Sequence, residues 1–148
     1  MVYRTAVTKA DKLEKERRAF ALKLGSAIAA GKKVIYLDES AFNAFSFKAK
    51  AWSHKQKPVE IPINNSRHGT TLFGAIGSCL THPCFRLAAS TNKIAFRQFI
   101  HQVSGSVRSR IGGKPYLVLD NHLAHKTTAN RALLDQHFNV LFQPPGTP

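Results

Sequence analysis

"KKVIYLDES", residues 32–40, and "KPYLVLDN", residues 114–121, share one design. In each, a basic residue is followed by an apolar run, Val34 to Leu37 in the first and Tyr116 to Leu119 in the second, and then by an acid, Asp38 or Asp120. Short runs rich in β-branched and aromatic residues read as strands buried on both faces, the kind found at the centre of an α/β sheet. Ligands of such sheets gather outside the carboxyl ends of the parallel strands. If the two strands are neighbours, their centres lie about 5 Å apart, and Asp38 and Asp120 stand on one rim.

Outward from these strands, Thr8 to Ala30 reads as an amphipathic helix, with Leu13, Phe20, Leu24, Ala27 and Ile28 at helical spacing, Thr8 and Asp11 as a capping box and Gly31 as the stop. After the first strand, "FNAFSF" alternates like a further strand, "KAKAWSHKQKP" is a basic loop and "VEIPI" an edge strand broken by Pro62. "TTLFGAIGS" and "CFRLAA" form an antiparallel pair with close backbone approach at Gly74 and Gly77. A helix from about Asn92 carries the stripe Phe96, Phe99, Ile100, Val103 and Val107; Gly112-Gly113 ends it unless Gly105 does so first. A helix over 127–137, with Ala129, Ala132 and Leu133 inward, and a last strand "NVLFQ" complete the order β, β, β, α, β, α, β.

The chain of 148 residues is long enough for one domain that buries roughly two-thirds of its unfolded surface. Two cysteines, Cys79 and Cys84, are too few for a disulfide framework. No apolar run approaches a bilayer span and no signal core opens the sequence, so an intracellular, non-membrane protein is expected. Lys plus Arg number 22 against 8 Asp plus Glu, a net charge of +14, which attracts a polyanion through counterion release and makes nucleic acid the first candidate partner. Phe47 and Trp52 interleave with Lys48, Lys50, Lys55 and Lys57, a pattern suited to base stacking beside phosphate contacts, although Trp52 could equally anchor the loop.

Two carboxylates on one rim repel, and protonation or a divalent cation relieves the repulsion. Hard oxygen ligands suit Mg²⁺ or Mn²⁺, and metals set in a basic surface are what phosphodiester chemistry requires: they activate a water or a 3′-hydroxyl and stabilise the leaving oxygen. The bland alternative is that each Asp caps the turn after its strand while Glu39 faces solvent. Other constellations are weaker. Cys79, His82 and Cys84, with His54 or His68, lack the paired ligand spacing of zinc sites; no zinc-protease motif, nucleophile elbow or complete phosphate loop is present.

"YLDESAFNAF", Trp52, "RHGTTLFGAIG", "YLVLDNHLAHK" and "NVLFQPPGTP" together resemble the catalytic domain of the Tc1/mariner and bacterial IS630-type transposases, from about Lys32 onward. The resemblance implies a ribonuclease H-like α/β fold, a mixed sheet with flanking helices, and a DDE/D site in which Asp38 is the first metal-binding acid and Asp120 the second. It implies supporting places for Glu39, Asn121 and His125, and DNA contacts from Lys48, Lys50, Trp52, Lys55, Lys57 and Arg67. The implied cofactor is Mg²⁺ or Mn²⁺. The implied partners are DNA, as transposon ends or without sequence preference, and a second copy or complementing chain; the implied location is the nucleus in a eukaryote, the cytoplasm or nucleoid in a bacterium. The family carries its third acid on a helix beyond the Pro-rich segment, past Pro148. The expectation is therefore a helix over 1–31 leading into a partial catalytic domain over 32–148, with that last helix missing and cleavage and strand transfer impaired. A non-catalytic, basic DNA-binding scaffold is the alternative.

Overall fold

The computed structural model describes residues 2–43, 69–108 and 112–146. Helix α1 (Val2–Ala29) precedes β1 (Val34–Asn43), β2 (Gly69–Gly77), β3 (Cys84–Ala88), α2 (Lys93–Gly105), β4 (Tyr116–Leu119), a 3₁₀ turn (Leu123–Lys126), α3 (Thr128–His137) and β5 (Asn139–Phe142). The strands form one mixed sheet in the order β3-β2-β1-β4-β5. β1 pairs antiparallel with β2 and parallel with β4, and β5 is parallel to β4. The two strands with matching sequences are thus neighbours at the centre.

Successive side chains of a strand point to opposite faces, and that alternation organises the packing. Ile35, Leu37, Phe73, Ala75, Leu117 and Leu119 face α2 and α3, where they bury against Phe96, Phe99, Ile100, Val103 and Leu134. On the other face Val34, Val118 and Leu141 are covered by Phe20 and Leu24 of α1. Among the described residues that second face is exposed beyond the reach of α1, at Tyr36, Phe42, Ile76, Phe85 (58% exposed) and Leu87 (67%). Val140 and Phe142 of β5 pack against the main core.

Several expectations are corrected. β1 is not a short run buried on both faces but a ten-residue strand with Tyr36 exposed, because β2 continues to pair with it as far as Asn43. Asp38 therefore lies mid-strand, at a rim only with respect to β4. Thr8 lies inside α1, which starts at Val2, and not at a helix start; Gly31, at φ 70°, does end the helix, with its N–H on the Ile28 carbonyl. Asn92 caps α2 as expected, and Gly105 rather than Gly112-Gly113 ends it. Gly77 is a close approach, where an added Cβ would stand 2.7 Å from the Val34 carbonyl oxygen; Gly74 has only ordinary contacts. In α3 the inward residues are Asn130 and Leu134 instead of Ala129 and Ala132. Alanines carry little apolar signal, whereas Asn130 is buried with its polar atoms bonded to the Lys93 and Ala124 carbonyls and to the Arg97 guanidinium. "VEIPI" and most of "FNAFSF" lie outside the described residues. No helix among the described residues is long and apolar enough to cross a membrane.

Candidate active site

Val34, Ile35 and Tyr36 of β1 face the residues of β4 that lie 82 positions later, Tyr116, Leu117 and Val118. Continued by two residues, that register sets Asp38 level with Asp120, on the face away from α2. Both line one cavity of about 870 Å³, together with Tyr36, Asn121, His122 and the segment Gln143 to Gly146. Asp38 and Asp120 are the acids in that lining.

Each Asp also performs the bland role. Asp38 Oδ1 accepts the N–H of Glu39 at 2.9 Å, and Asp120 Oδ1 accepts the N–H of His122 at 3.0 Å. Capping occupies one oxygen of each, and the Asp120 side chain remains 53% exposed. Two carboxylates at one cavity wall, each with an oxygen to spare, are a donor set of the hard kind that Mg²⁺ or Mn²⁺ takes.

Glu39 points the other way. As the next residue of β1 it projects to the α2 face, where its side chain is 10% exposed and receives His125 Nε2 at 2.6 Å. His125, fully buried in the 3₁₀ turn, stacks on Phe96 with ring centroids 4.1 Å apart. Its Nδ1 lies 3.1 Å from Asp120 Oδ1 and 3.3 Å from the Asp120 carbonyl oxygen. Both ring nitrogens thus face oxygens that only accept, an arrangement satisfied by the imidazolium, which donates from both. Burial pushes the His125 pKa down, but the hydrogen bond and charge of Glu39, helped by the carbonyl and carboxylate of Asp120, outweigh it and hold it above its ordinary value. Glu39, Asp120 and His125 bring ligand-capable atoms within 4.8 Å of one another. An ion there would have to break the buried clasp, whereas the cavity side offers free oxygens.

Asn121 donates from Nδ2 to the Gln143 carbonyl at 2.8 Å, tying the end of β4 to the segment that follows β5. Arg17 of α1 holds the same segment, donating from Nε and Nη2 to the Pro145 carbonyl.

Of the expected site residues, the structure brings together Asp38, Asp120 and Asn121 at the cavity, and Glu39 and His125 behind it. Lys48, Lys50, Trp52, Lys55, Lys57 and Arg67 lie outside the described residues. Cys79, His82 and Cys84 form no converging ligand group among the described residues: both thiols are buried, Cys79 with its pKa raised by burial, and His82 Nδ1 pairs with the Thr81 hydroxyl. Sequence reasoning gave no site role to Arg17, Phe96 or Asn130, and it placed Glu39 in solvent only in the capping alternative, the resemblance giving it a supporting place. The odd-even alternation of β1 was the available signal for Glu39, since it puts Glu39 on the side of Ile35 and Leu37.

A family model described as DDE superfamily endonuclease matches residues 33–148. No curated protein sequence matches. Among solved structures, the catalytic domain of Mos1 mariner transposase superposes with a TM-score of 0.62 at 14% identity, over 93% of this chain and 63% of that one. The Mos1 transposase paired-end complex with left transposon end gives 0.60 at 14%, over 90% and 42%, and the Mos1 mariner paired end complex with Mn 0.60 at 15%, over 88% and 42%. The chain thus spans about two-fifths of those full-length transposases, and the likeness establishes a ribonuclease H-like fold.

Proposed function

The chain belongs to the DDE superfamily endonucleases, and from that premise we propose that it is the Asp38–Asp120 portion of a Tc1/mariner-type transposase that binds DNA and takes a divalent cation at the cavity rim. The observation that carries this reading is the register of β1 and β4, which, continued two residues past Tyr36 and Val118, sets Asp38 within β1 level with Asp120 just beyond β4, both of them on one cavity wall. The solved relatives support it: Mos1 mariner complexes include one with Mn, one with Mg and one with a transposon end.

Asp38 and Asp120 would hold Mg²⁺ or Mn²⁺, which when bound supplies charge neutralisation and an activated oxygen nucleophile for phosphodiester cleavage. The chain's own residues do the rest. Asn121 fixes the wall of the cavity by its bond to Gln143, and the paired strands hold the two acids at the spacing of a sheet. The net charge of +14 attracts the phosphate backbone toward that rim, inside the cell where DNA is found. Residues 1–148 bring two acids to the cavity, so a polypeptide of these residues is expected to bind metal and DNA while cleaving and joining strands poorly.

The test is thermal unfolding with and without millimolar Mn²⁺, together with a cleavage assay on transposon-end DNA. Mn²⁺ is expected to raise the Tm of the wild type, the stabilisation being about 2.7 kcal/mol at a concentration one hundred times Kd, and not to raise that of Asp38→Asn or Asp120→Asn. A shift unchanged in both variants, or no shift in the wild type, would favour the DNA-binding scaffold. Strong Mn²⁺-dependent turnover by residues 1–148 would overturn the expectation of impaired cleavage.

A further inference from the structure

Adjacent acids in a strand are adjacent in sequence but not in space, and Asp38 and Glu39 serve opposite sides of the sheet. We propose that Glu39 is a positioning residue that acts through His125 to aim the Asp120 carboxylate at the cavity. This deepens the metal-site reading above and rests on it.

The chain of contacts is continuous and largely buried. Glu39 is fixed by the pairing of β1 with β2, where it stands opposite Phe73 in the sheet. Its Oε1 takes the N–H of His125 at 2.6 Å, the shortest contact in the cluster. The imidazole has little freedom to turn, being stacked on Phe96 and fully buried. The backbone that carries it is pinned by Asn130, which takes the Ala124 carbonyl at 2.8 Å. Its remaining nitrogen then meets Asp120 at both the carbonyl and Oδ1.

Asp120 lies beyond the last residue of β4, where the ladder no longer holds the chain. A carboxylate there, with 53% of its side chain exposed, has rotamers to choose from. The His122 N–H on Oδ1 and the charge of the imidazole 3.1 Å from that oxygen select one of them, while the same imidazole nitrogen holds the Asp120 carbonyl. Groups behind a metal ligand commonly have this orienting role, and their loss lowers metal affinity about 10–100-fold. Glu39 itself does not line the cavity.

The experiment compares the wild type with Glu39→Ala, Glu39→Gln, His125→Ala and the double variant Glu39→Ala/His125→Ala, each first shown to be folded by circular dichroism. Mn²⁺ affinity is measured by calorimetry. The order of the Asp120 side chain is measured without metal, by ¹³C relaxation at its carboxyl carbon. Glu39→Ala is expected to weaken Mn²⁺ binding at least tenfold and to loosen Asp120. Glu39→Gln keeps an acceptor for Nε2 and stays within a few-fold of the wild type. The double variant is no worse than either single, as for links of one chain. A role confined to stability would lower Tm and leave the affinity of the folded protein unchanged, which overturns the proposal. So does an Asp120 that is equally ordered in the wild type and in Glu39→Ala, or in His125→Ala if Glu39→Ala does not fold. Should the wild type bind no Mn²⁺, the metal-site reading fails, while the relaxation measurement still decides whether Glu39 positions Asp120.

Discussion

His125 concentrates the electrostatics of the molecule in one ring. Its pKa is raised above 6.5, burial working against the change and Glu39 and Asp120 for it. The folded chain therefore holds this proton more tightly than the unfolded chain does. The resulting stability is complete below about pH 6.5 and is lost as pH rises through the folded pKa. His122 is the neighbouring imidazole, with ring centroids 5.5 Å apart, and it is kept unchanged in the comparison. Tm is expected to fall between pH 6 and pH 8 more steeply in the wild type than in His125→Gln, and differential scanning calorimetry of both proteins checks it. Equal slopes would mean that the clasp is neutral. At this scale the sequence was legible where a residue stands beside a strong pattern, as Asp38 and Asp120 do. It was silent where the partner is remote, since nothing near Glu39 announces a histidine 86 positions away.

Among the elements, the strands and helices with an apolar stripe were readable because burial follows period. Phe96, Phe99, Ile100 and Val103 were all found on the inner side of α2. The inward side of α3 was misread because its fully buried anchor is an asparagine, which no hydrophobic pattern can reveal. The length of β1 was misread because pairing with β2, and not apolar character, extends it past Leu37. Two substitutions test these elements. Phe99→Ala removes a fully buried ring that packs on Phe73 at 5.6 Å, and is expected to cost about 3–5 kcal/mol in urea unfolding. Gly77→Ala puts a methyl against the Val34 carbonyl oxygen and the Ile35 Cα, so β1 and β2 must part; a loss of about 1–3 kcal/mol is expected by the same measurement.

For the whole molecule, the open apolar face predicts poor solubility at high concentration. Phe85→Lys combined with Leu87→Lys is expected to raise the concentration at which light scattering begins, while each exposed change alters stability by no more than about 0.5 kcal/mol. The pairing of β1 with β4 also has a consequence in time. β2 and β3 are joined by a short connection, α2 follows β3 closely, and the β1–β2 pair, though its connection is longer, still joins residues at most 42 positions apart. The partner of β1 on its other edge lies 82 positions downstream, and closing a long loop is entropically slower to be rewarded. On a ribosome, Asp38 is synthesised long before Asp120 exists. The two negative charges do not meet while the first hairpins assemble, and their repulsion burdens only the last stage of folding. On the proposed metal-site reading, the ability to hold a cation is acquired when β4 docks, late in the life of the nascent chain, and would certify that the centre of the sheet has closed.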